Sequence, residues 1–329
     1  MKAAWYSTKG AARDVLQVGE LPTPTPAPGE VLIRVRASGV NPSDTKGRGG
    51  NYGALAFAQV VPNQDGAGEI VAVGSPELES RIGERVWFYE SQLGRWNGSA
   101  AEYTTLPAWK AVHLPDGVSF EEGACLGIPA MTAYRCVFVD GPVTGKTVFV
   151  SGGAGAVGRY AIQFAKLGGA RVIASIGNDE AAASATSAGA DLVLNRHTDD
   201  LPARVAAFTG DAKGRGVDRF VEVAFGANLD LIGKTLAPNG VVATYASDAV
   251  PEPTVPFWPM IFLDATIRFV LVYVMTAEAH LEAAAGINAA LEANQLTHQI
   301  GRVLTLDDIV AAHEAVERGE LGKTVIALG

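Results

Sequence analysis

Thr147-Val148-Phe149-Val150-Ser151-Gly152-Gly153-Ala154-Gly155-Ala156-Val157-Gly158 is the stretch that decides how this chain folds. A β-branched and aromatic run predicts a strand, glycines follow at once, and Arg159 to Leu167 reads as a helix. Gly153, Gly155 and Gly158 fall in the register G-x-G-x-x-G. Each glycine has a physical reason in that pattern: a tight turn, close approach of the backbone to a pyrophosphate, and close packing of helix on strand. The phosphates then rest on the N–H groups and positive dipole end of the helix. With a strand before it and a helix after it, the motif predicts a dinucleotide-binding domain of Rossmann type.

From Gly145 onward the pattern is apolar runs alternating with Ala-rich helical stretches, which predicts βαβ units and a parallel sheet. The expected strands are Lys146 to Ser151, Ala170 to Ser175, Asp191 to Leu194, Val217 to Val223, Val241 to Tyr245 and Thr266 to Tyr273. Before Pro115 the chain reads differently. Short β-like runs at Glu30 to Ala37, Gly68 to Val73 and Glu84 to Phe88, broken by Gly and Pro, predict an antiparallel, barrel-like domain. Pro22, Pro24, Pro26 and Pro28 form a stiff extended connector ahead of it. Beyond Thr276, two helical stretches around His280 to Asn294 and Leu306 to Glu317 precede an apolar ending, Thr324 to Leu328, that can return to the first domain.

The end of the second parallel strand selects the dinucleotide. NAD sites of this fold carry an acidic residue there for the ribose hydroxyls. This chain offers Ser175-Ile176-Gly177-Asn178, with no carboxylate to repel a 2'-phosphate and with Ser175 and Asn178 able to donate to one. NADPH is therefore the expected cofactor. Arg196, after the third strand, is the nearest cation in sequence, either a phosphate ligand or a solvated surface residue.

Composition narrows the function classes. The 329 residues are 48% hydrophobic and 19% charged, with mean hydropathy +0.17, net charge −9 and pI near 5.1. That balance fits an ordered globular chain and disfavours nucleic acid and anionic membrane as partners. Met1 to Gly10 lacks the pattern of a signal peptide, and the dense apolar run Phe269 to Met275 is too short to span a bilayer, so a cytoplasmic protein is expected. Cys125 and Cys136 read as small buried side chains, and the five histidines are scattered without metal-ligand spacing.

These residues, together with Gly39-Val40-Asn41-Pro42-Ser43-Asp44, Asp65-Gly66-Ala67-Gly68, Gly83-Glu84-Arg85-Val86, Ile128 to Tyr134, Glu222 to Asn228, Arg268 to Tyr273 and Gly322-Lys323, resemble the quinone oxidoreductase (zeta-crystallin-like) branch of the medium-chain dehydrogenase/reductase superfamily. The resemblance runs from end to end. It implies a GroES-like substrate domain built from residues 1–124 and 277–329, a Rossmann domain over 125–276 inserted in it, and an active site in the cleft between them. Zinc-dependent relatives carry Cys where this chain has Asn41 and Gly-His-Glu where it has Asp65-Gly66-Ala67, and Glu90 to Trp109 lacks the four cysteines of a structural zinc lobe. Zinc-independent chemistry is what that departure implies.

Carried over by position, the resemblance puts Asn41 beside the nicotinamide ribose, Thr132 near the nicotinamide, and Ala156 and Val157 under the pyrophosphate. Tyr245, Ala246 and Ser247 approach the nicotinamide side, Phe269, Val270 and Leu271 line the carboxamide end, and Lys323 matches a C-terminal lysine that approaches the cofactor. The apolar members of this set also read as ordinary strand core. Relatives often have lysine at Ala181 and tyrosine at Arg196, and Arg196 can stand in for both. Tyr52 is either a hydrogen-bond donor to a developing oxyanion or an aromatic wall of the pocket, and Asp44 reads as a turn or cap acceptor.

The function so implied is NADPH-dependent hydride transfer to quinones, whose reduced oxygens are stable anions needing no metal. Reduction of an α,β-unsaturated ketone, aldehyde or acyl thioester is the alternative, and a non-catalytic NADPH-binding protein is the alternative from another class. The pocket loops Asn51 to Val61 and Pro251 to Met260, with Phe257 and Trp258, give the acceptor site an apolar mouth without specifying the acceptor. The edge strand at Phe269 to Tyr273 suits a homodimer.

Overall fold

The computed structural model describes residues 1–211 and 213–329. It divides into two compact units, one of Met1–Ile128, Asn288–Asn294 and His298–Gly329, the other of Pro129–Ile287 and Gln295–Thr297.

In the second unit six strands form one wholly parallel sheet. Their spatial order is Leu192–Asn195, Arg171–Ile176, Thr147–Val150, Val217–Glu222, Leu236–Thr244, Thr266–Phe269. In chain order this is 3-2-1-4-5-6, the doubly wound Rossmann arrangement, whose strand order reverses between Thr147–Val150 and Val217–Glu222. All four residues of Thr147–Val150 are buried, as expected for a central strand covered on both faces. Phe149 and Phe220 pack with ring centroids 5.0 Å apart, in a core that includes Ile173, Leu194, Ile232 and Val242.

Two of the expected strands differ at their ends. The fifth begins at Leu236, directly after the helix Phe225–Thr235, because Asn239 takes a left-handed φ of 61° that lets the chain turn and still pair. The sixth stops at Phe269, and Val272–Val274 is a single 3₁₀ turn, although its β-branched composition reads as strand. The helix expected around His280 to Asn294 spans Ala277–Glu292.

The first unit is built on a seven-stranded sheet around the eleven-residue strand Glu30–Val40. Asp65–Val73, Tyr103–Pro107 and Lys323–Ala327 all pair with that strand in antiparallel fashion. The C-terminal strand therefore does return to the N-terminal sheet, with Thr324 opposite Val40 and Val325 opposite Gly39. One pair departs from the antiparallel expectation: Ile300–Thr305 and Lys323–Ala327 run parallel, joined across the helix Ile309–Glu317. Val31, Ile33, Val35, Ile70, Val86 and Leu106 fill the core beneath the sheet.

Candidate active site

In the second unit the candidate cofactor residues gather at the C-terminal ends of the parallel strands, where open α/β sheets bind ligands. The turn after Thr147–Val150 is pinned to both neighbours: Ser151 N–H donates to the Val221 carbonyl at 2.9 Å and Gly153 N–H to the Ser175 carbonyl at 2.8 Å. Gly152 has φ +66°, a conformation that favours glycine. A Cβ at Gly153 would lie 2.7 Å from the Ala174 Cβ, and one at Gly158 would collide with the Gly152 carbonyl oxygen. Both glycines thus let helix Ala156–Leu167 seat close on the sheet. That helix starts at Gly155 with no side-chain cap, and Gly155 and Ala156 are exposed, so its first N–H groups remain open to an anion. The cradle fits a pyrophosphate.

Ser175 is buried, and its Oγ accepts from Gly152 N–H at 3.4 Å. Asn178 is exposed and its Oδ1 caps the short 3₁₀ helix Asp179–Ala181, accepting from Ala181 N–H at 3.0 Å. Arg196 is exposed too, and its Nη2 stands 3.4 Å from where a Cβ of Gly177 would be. The guanidinium that the sequence left unattached therefore lies against the loop after the second strand. The carboxylate of Asp179, which follows Asn178, accepts from Asn195 Nδ2 at 2.8 Å.

Tyr245, Ala246 and Ser247 follow the fifth strand and are half-buried. Tyr245 N–H donates to the Glu222 carbonyl at 3.0 Å, the Ala246 carbonyl accepts from Phe225 N–H at 3.1 Å, and Ser247 Oγ accepts from Gly226 N–H at 3.0 Å. Val270 is buried and its N–H donates to the Thr244 carbonyl at 2.8 Å, while Phe269 and Leu271 are exposed. Thr132 is buried on the helix Gly127–Phe138.

Sequence reasoning missed the support beneath this turn. Glu222, fully buried at the end of its strand, accepts from Ala224 N–H at 2.5 Å and from Asn228 Nδ2 at 2.9 Å, and Asn228 also donates to Ser151 Oγ at 3.1 Å. Burial lifts the Glu222 carboxyl above its usual range, and those donors pull it back. A carboxylate directly after the apolar pair Phe220-Val221 at the end of the strand, with an amide six residues on, was the available signal.

In the first unit, Asn41 and Lys323 come together around Asp65, all three buried. Lys323 Nζ donates to Asn41 Oδ1 at 2.5 Å and to Asp65 Oδ2 at 3.1 Å, and Asn41 Nδ2 donates to the same Asp65 oxygen at 2.8 Å. Asp65 Oδ1 accepts from Ile128 N–H at 2.8 Å. Asp44, the third residue of the helix Pro42–Gly49 that Asn41 caps, accepts from Asn41 N–H at 2.7 Å, as a cap acceptor does. Burial, then the negative charge of Asp65, pushes the Asp44 carboxyl up to about 7. Burial also raises Asp65, and the Lys323 charge opposes it.

Tyr52 is 62% exposed, and its ring lies beside Gly47 near the far end of that helix. Gly47 is the sixth residue of that helix, about 9 Å from the Asn41 cap at about 1.5 Å per residue, so the helix holds the Tyr52 ring apart from Asn41. Cys125 and Cys136 are buried, and burial raises both thiols to about 12, which leaves them inert as nucleophiles.

A Rossmann sheet with an open glycine-rich turn, joined in one chain to a GroES-like sheet, defines a two-part dehydrogenase. Residues 27–116 match the family described as "Alcohol dehydrogenase GroES-like domain" and residues 156–285 that described as "Zinc-binding dehydrogenase". "Quinone oxidoreductase" of Homo sapiens is 30% identical over 94% of this chain and 92% of its own length. A mycobacterial quinone oxidoreductase structure is 29% identical with a TM-score of 0.86, and a mycobacterial structure complexed with NADPH is 28% identical with a TM-score of 0.86, each covering 100% of both chains. The chain belongs to the quinone oxidoreductase branch of the medium-chain dehydrogenase/reductase superfamily.

Proposed function

We propose that this chain is an NADPH-dependent quinone oxidoreductase that works without zinc. The observation that carries the cofactor is the Arg196 guanidinium set against Gly177, beside the loop where an NAD site would place a ribose-binding carboxylate. Gly153, Gly155, Ala156, Val157 and Gly158 would hold the pyrophosphate on the helix N-terminus, and Ser175, Asn178 and Arg196 the 2'-phosphate. Tyr245, Ala246, Ser247, Phe269, Val270, Leu271, Thr132, Asn41 and Lys323 would serve the nicotinamide half. When bound, NADPH supplies the hydride.

The acceptor class rests on the relatives, which are named quinone oxidoreductases. Independence from zinc rests on donor chemistry: Asn41 and Asp65-Gly66-Ala67 stand at the ligand positions, and the Asp65 carboxylate is already neutralised by Lys323. Among the described residues no group of three His, Cys, Asp or Glu side chains could hold a metal. Tyr52, with its exposed ring, suits either a donor to a quinone oxygen or a wall of the pocket.

We also propose a cytoplasmic homodimer. Among the described residues no helix is long and apolar enough to cross a membrane. The strand Thr266–Phe269 is the edge of the parallel sheet and Phe269 and Leu271 beside it are exposed, an apolar edge that suits a second copy; Phe257, Trp258, Ile261 and Phe262, just before it in sequence, are exposed as well.

The test is anaerobic consumption of NADPH and NADH with 1,4-benzoquinone, 9,10-phenanthrenequinone and a simple enone offered separately. Saturable quinone turnover that prefers NADPH and survives a chelator is expected. Turnover with the enone alone moves the function to double-bond reduction, and NADPH binding without turnover moves it to a binding role.

A further inference from the structure

The first unit encloses an ion pair that its fold has been shaped to admit. The Lys323 side chain runs past Gly39, where a Cβ would collide with the Ala124 carbonyl oxygen and lie 2.7 Å from the lysine Cε, and a Cβ at Gly127 would collide with Asp65 Oδ1. Gly127 thus clears the space for the carboxylate, while Gly39 leaves room for the Ala124 carbonyl and the lysine stem together. A buried ion pair is weak evidence of stabilisation, since a well-packed apolar pair in its place is often neutral or better. Its geometry indicates a different use.

Lys323 can only donate and an ionised Asp65 can only accept, so Asn41 between them has a single satisfactory orientation. Oδ1 must face the ammonium at 2.5 Å and Nδ2 the carboxylate at 2.8 Å. Rotating the carboxamide by half a turn breaks both charge-assisted bonds and sets N–H against ammonium and carbonyl against carboxylate. The backbone of Asn41 is held as well, through its N–H to Asp44 Oδ2.

We propose that Lys323 and Asp65 are positioning residues that lock the Asn41 carboxamide in one orientation, so that Asn41 offers the coenzyme a fixed donor and acceptor. The proposal rests on the reading that Asn41 serves the nicotinamide ribose. It assigns Lys323 an indirect role: the lysine acts through Asn41, and its charge balances Asp65 within the protein. Pre-organised polar groups of this kind matter most for the geometry of the reacting complex, so turnover should suffer more than coenzyme affinity.

The test compares Lys323→Met, Asn41→Ala and the double variant by three measurements: NADPH affinity from quenching of protein fluorescence, kcat with 9,10-phenanthrenequinone, and the side-chain amide ¹H–¹⁵N signals of Asn41 in the ligand-free protein. Lys323→Met should lower kcat roughly 10- to 100-fold with a much smaller change in NADPH affinity, as loss of a charge-assisted contact does. Asn41→Ala should do the same, and the double variant should lose nothing further. In ligand-free Lys323→Met the Asn41 amide signals should shift and their protons exchange faster with water.

Losses that multiply in the double variant, or Asn41 amide signals that do not move, overturn the proposal. If Asn41→Ala behaves as wild type, the coenzyme role of Asn41 falls and the proposal falls with it. If the wild-type protein does not bind NADPH, the functional reading fails, and the ligand-free amide signals alone decide whether Lys323 holds Asn41. Should Lys323→Met fail to fold because Asp65 is left unpaired, Lys323→Met/Asp65→Asn removes both charges. Wild-type kcat in that folded variant also overturns the proposal.

Discussion

Replacing Arg196 with Gln should convert an NADPH enzyme toward indifference between the two coenzymes. The guanidinium lies against Gly177, and it is the cation the structure brings to the loop where a 2'-phosphate would sit. A hydrogen bond to a charged group is worth about 1.5–3 kcal/mol. Because Arg196 is exposed, solvent and salt screen the contact, and the lower end of that range applies. At roughly 1.4 kcal/mol per factor of ten, the expected loss in kcat/KM for NADPH is about tenfold. NADH lacks the phosphate and should be left within about a factor of two, in the range of ordinary surface substitutions. The ratio of the two kcat/KM values, measured at saturating quinone, cancels any general loss of activity. Raising the salt should lower that ratio in the wild-type protein and leave it unchanged in the variant. A loss of equal size for both coenzymes would refute the reasoning, as would an unchanged ratio.

Gly158→Ala should abolish saturable NADPH binding while leaving a folded protein, because its Cβ would strike the Gly152 carbonyl oxygen and force the turn away from the helix; equilibrium titration of fluorescence against NADPH checks this. Phe269→Glu, on a residue 75% exposed at the end of the edge strand, should shift the protein toward monomer in sedimentation velocity without lowering its Tm, and a monomeric wild type would remove the basis for the dimer. Asp44 has a folded value of about 7 against 3.8 unfolded, so the native state binds the extra proton between those pH values and stability falls as pH rises through that window. Asp44→Asn should therefore gain on the order of 4 kcal/mol in urea unfolding at pH 8, a gain that vanishes near pH 4. The comparison must be between variants, because burial pushes His313 down to about 3 and gives the opposite slope: stability present above the unfolded value of 6.5 and lost as pH falls. A variant less stable than wild type at pH 8 would contradict the assignment.

What could be read from the sequence was what depends on local backbone chemistry. The turn Ser151 to Gly158 announces itself because its function needs absent side chains at fixed spacing, and spacing is visible in one dimension. The alternation of β-branched, largely apolar runs with helical stretches located all six parallel strands, most clearly the central Thr147–Val150, which is buried on both faces. Ends were less legible. Val272–Val274 has strand composition and forms a 3₁₀ turn because the sheet has no further partner to pair with there. The early start of Leu236–Thr244 depends on Asn239 adopting a positive φ, which asparagine tolerates without advertising it.

The polar site in the first unit was hidden for a different reason. Asp65 and Lys323 are 258 residues apart, and a single lysine near a C-terminus carries no mark that its stem passes over Gly39 and its charge meets a carboxylate on another strand. Asn41 and Lys323 entered as candidates only through resemblance, each assigned separately to the coenzyme. Their contact makes them one unit, since two groups that hold each other cannot act as independent ligands. The same logic applies to Arg196, a lone exposed cation in sequence that gains meaning only when the third parallel strand sets it against the loop after the second. In both cases the chemistry lies in a pair of residues, and what creates the pair is the register of the sheet: Thr324 opposite Val40 in one unit, Asn195 opposite Ile176 in the other. A one-residue slip in either register would turn the paired side chain to the opposite face and dissolve the site while leaving the composition, the motif and the strand count unchanged.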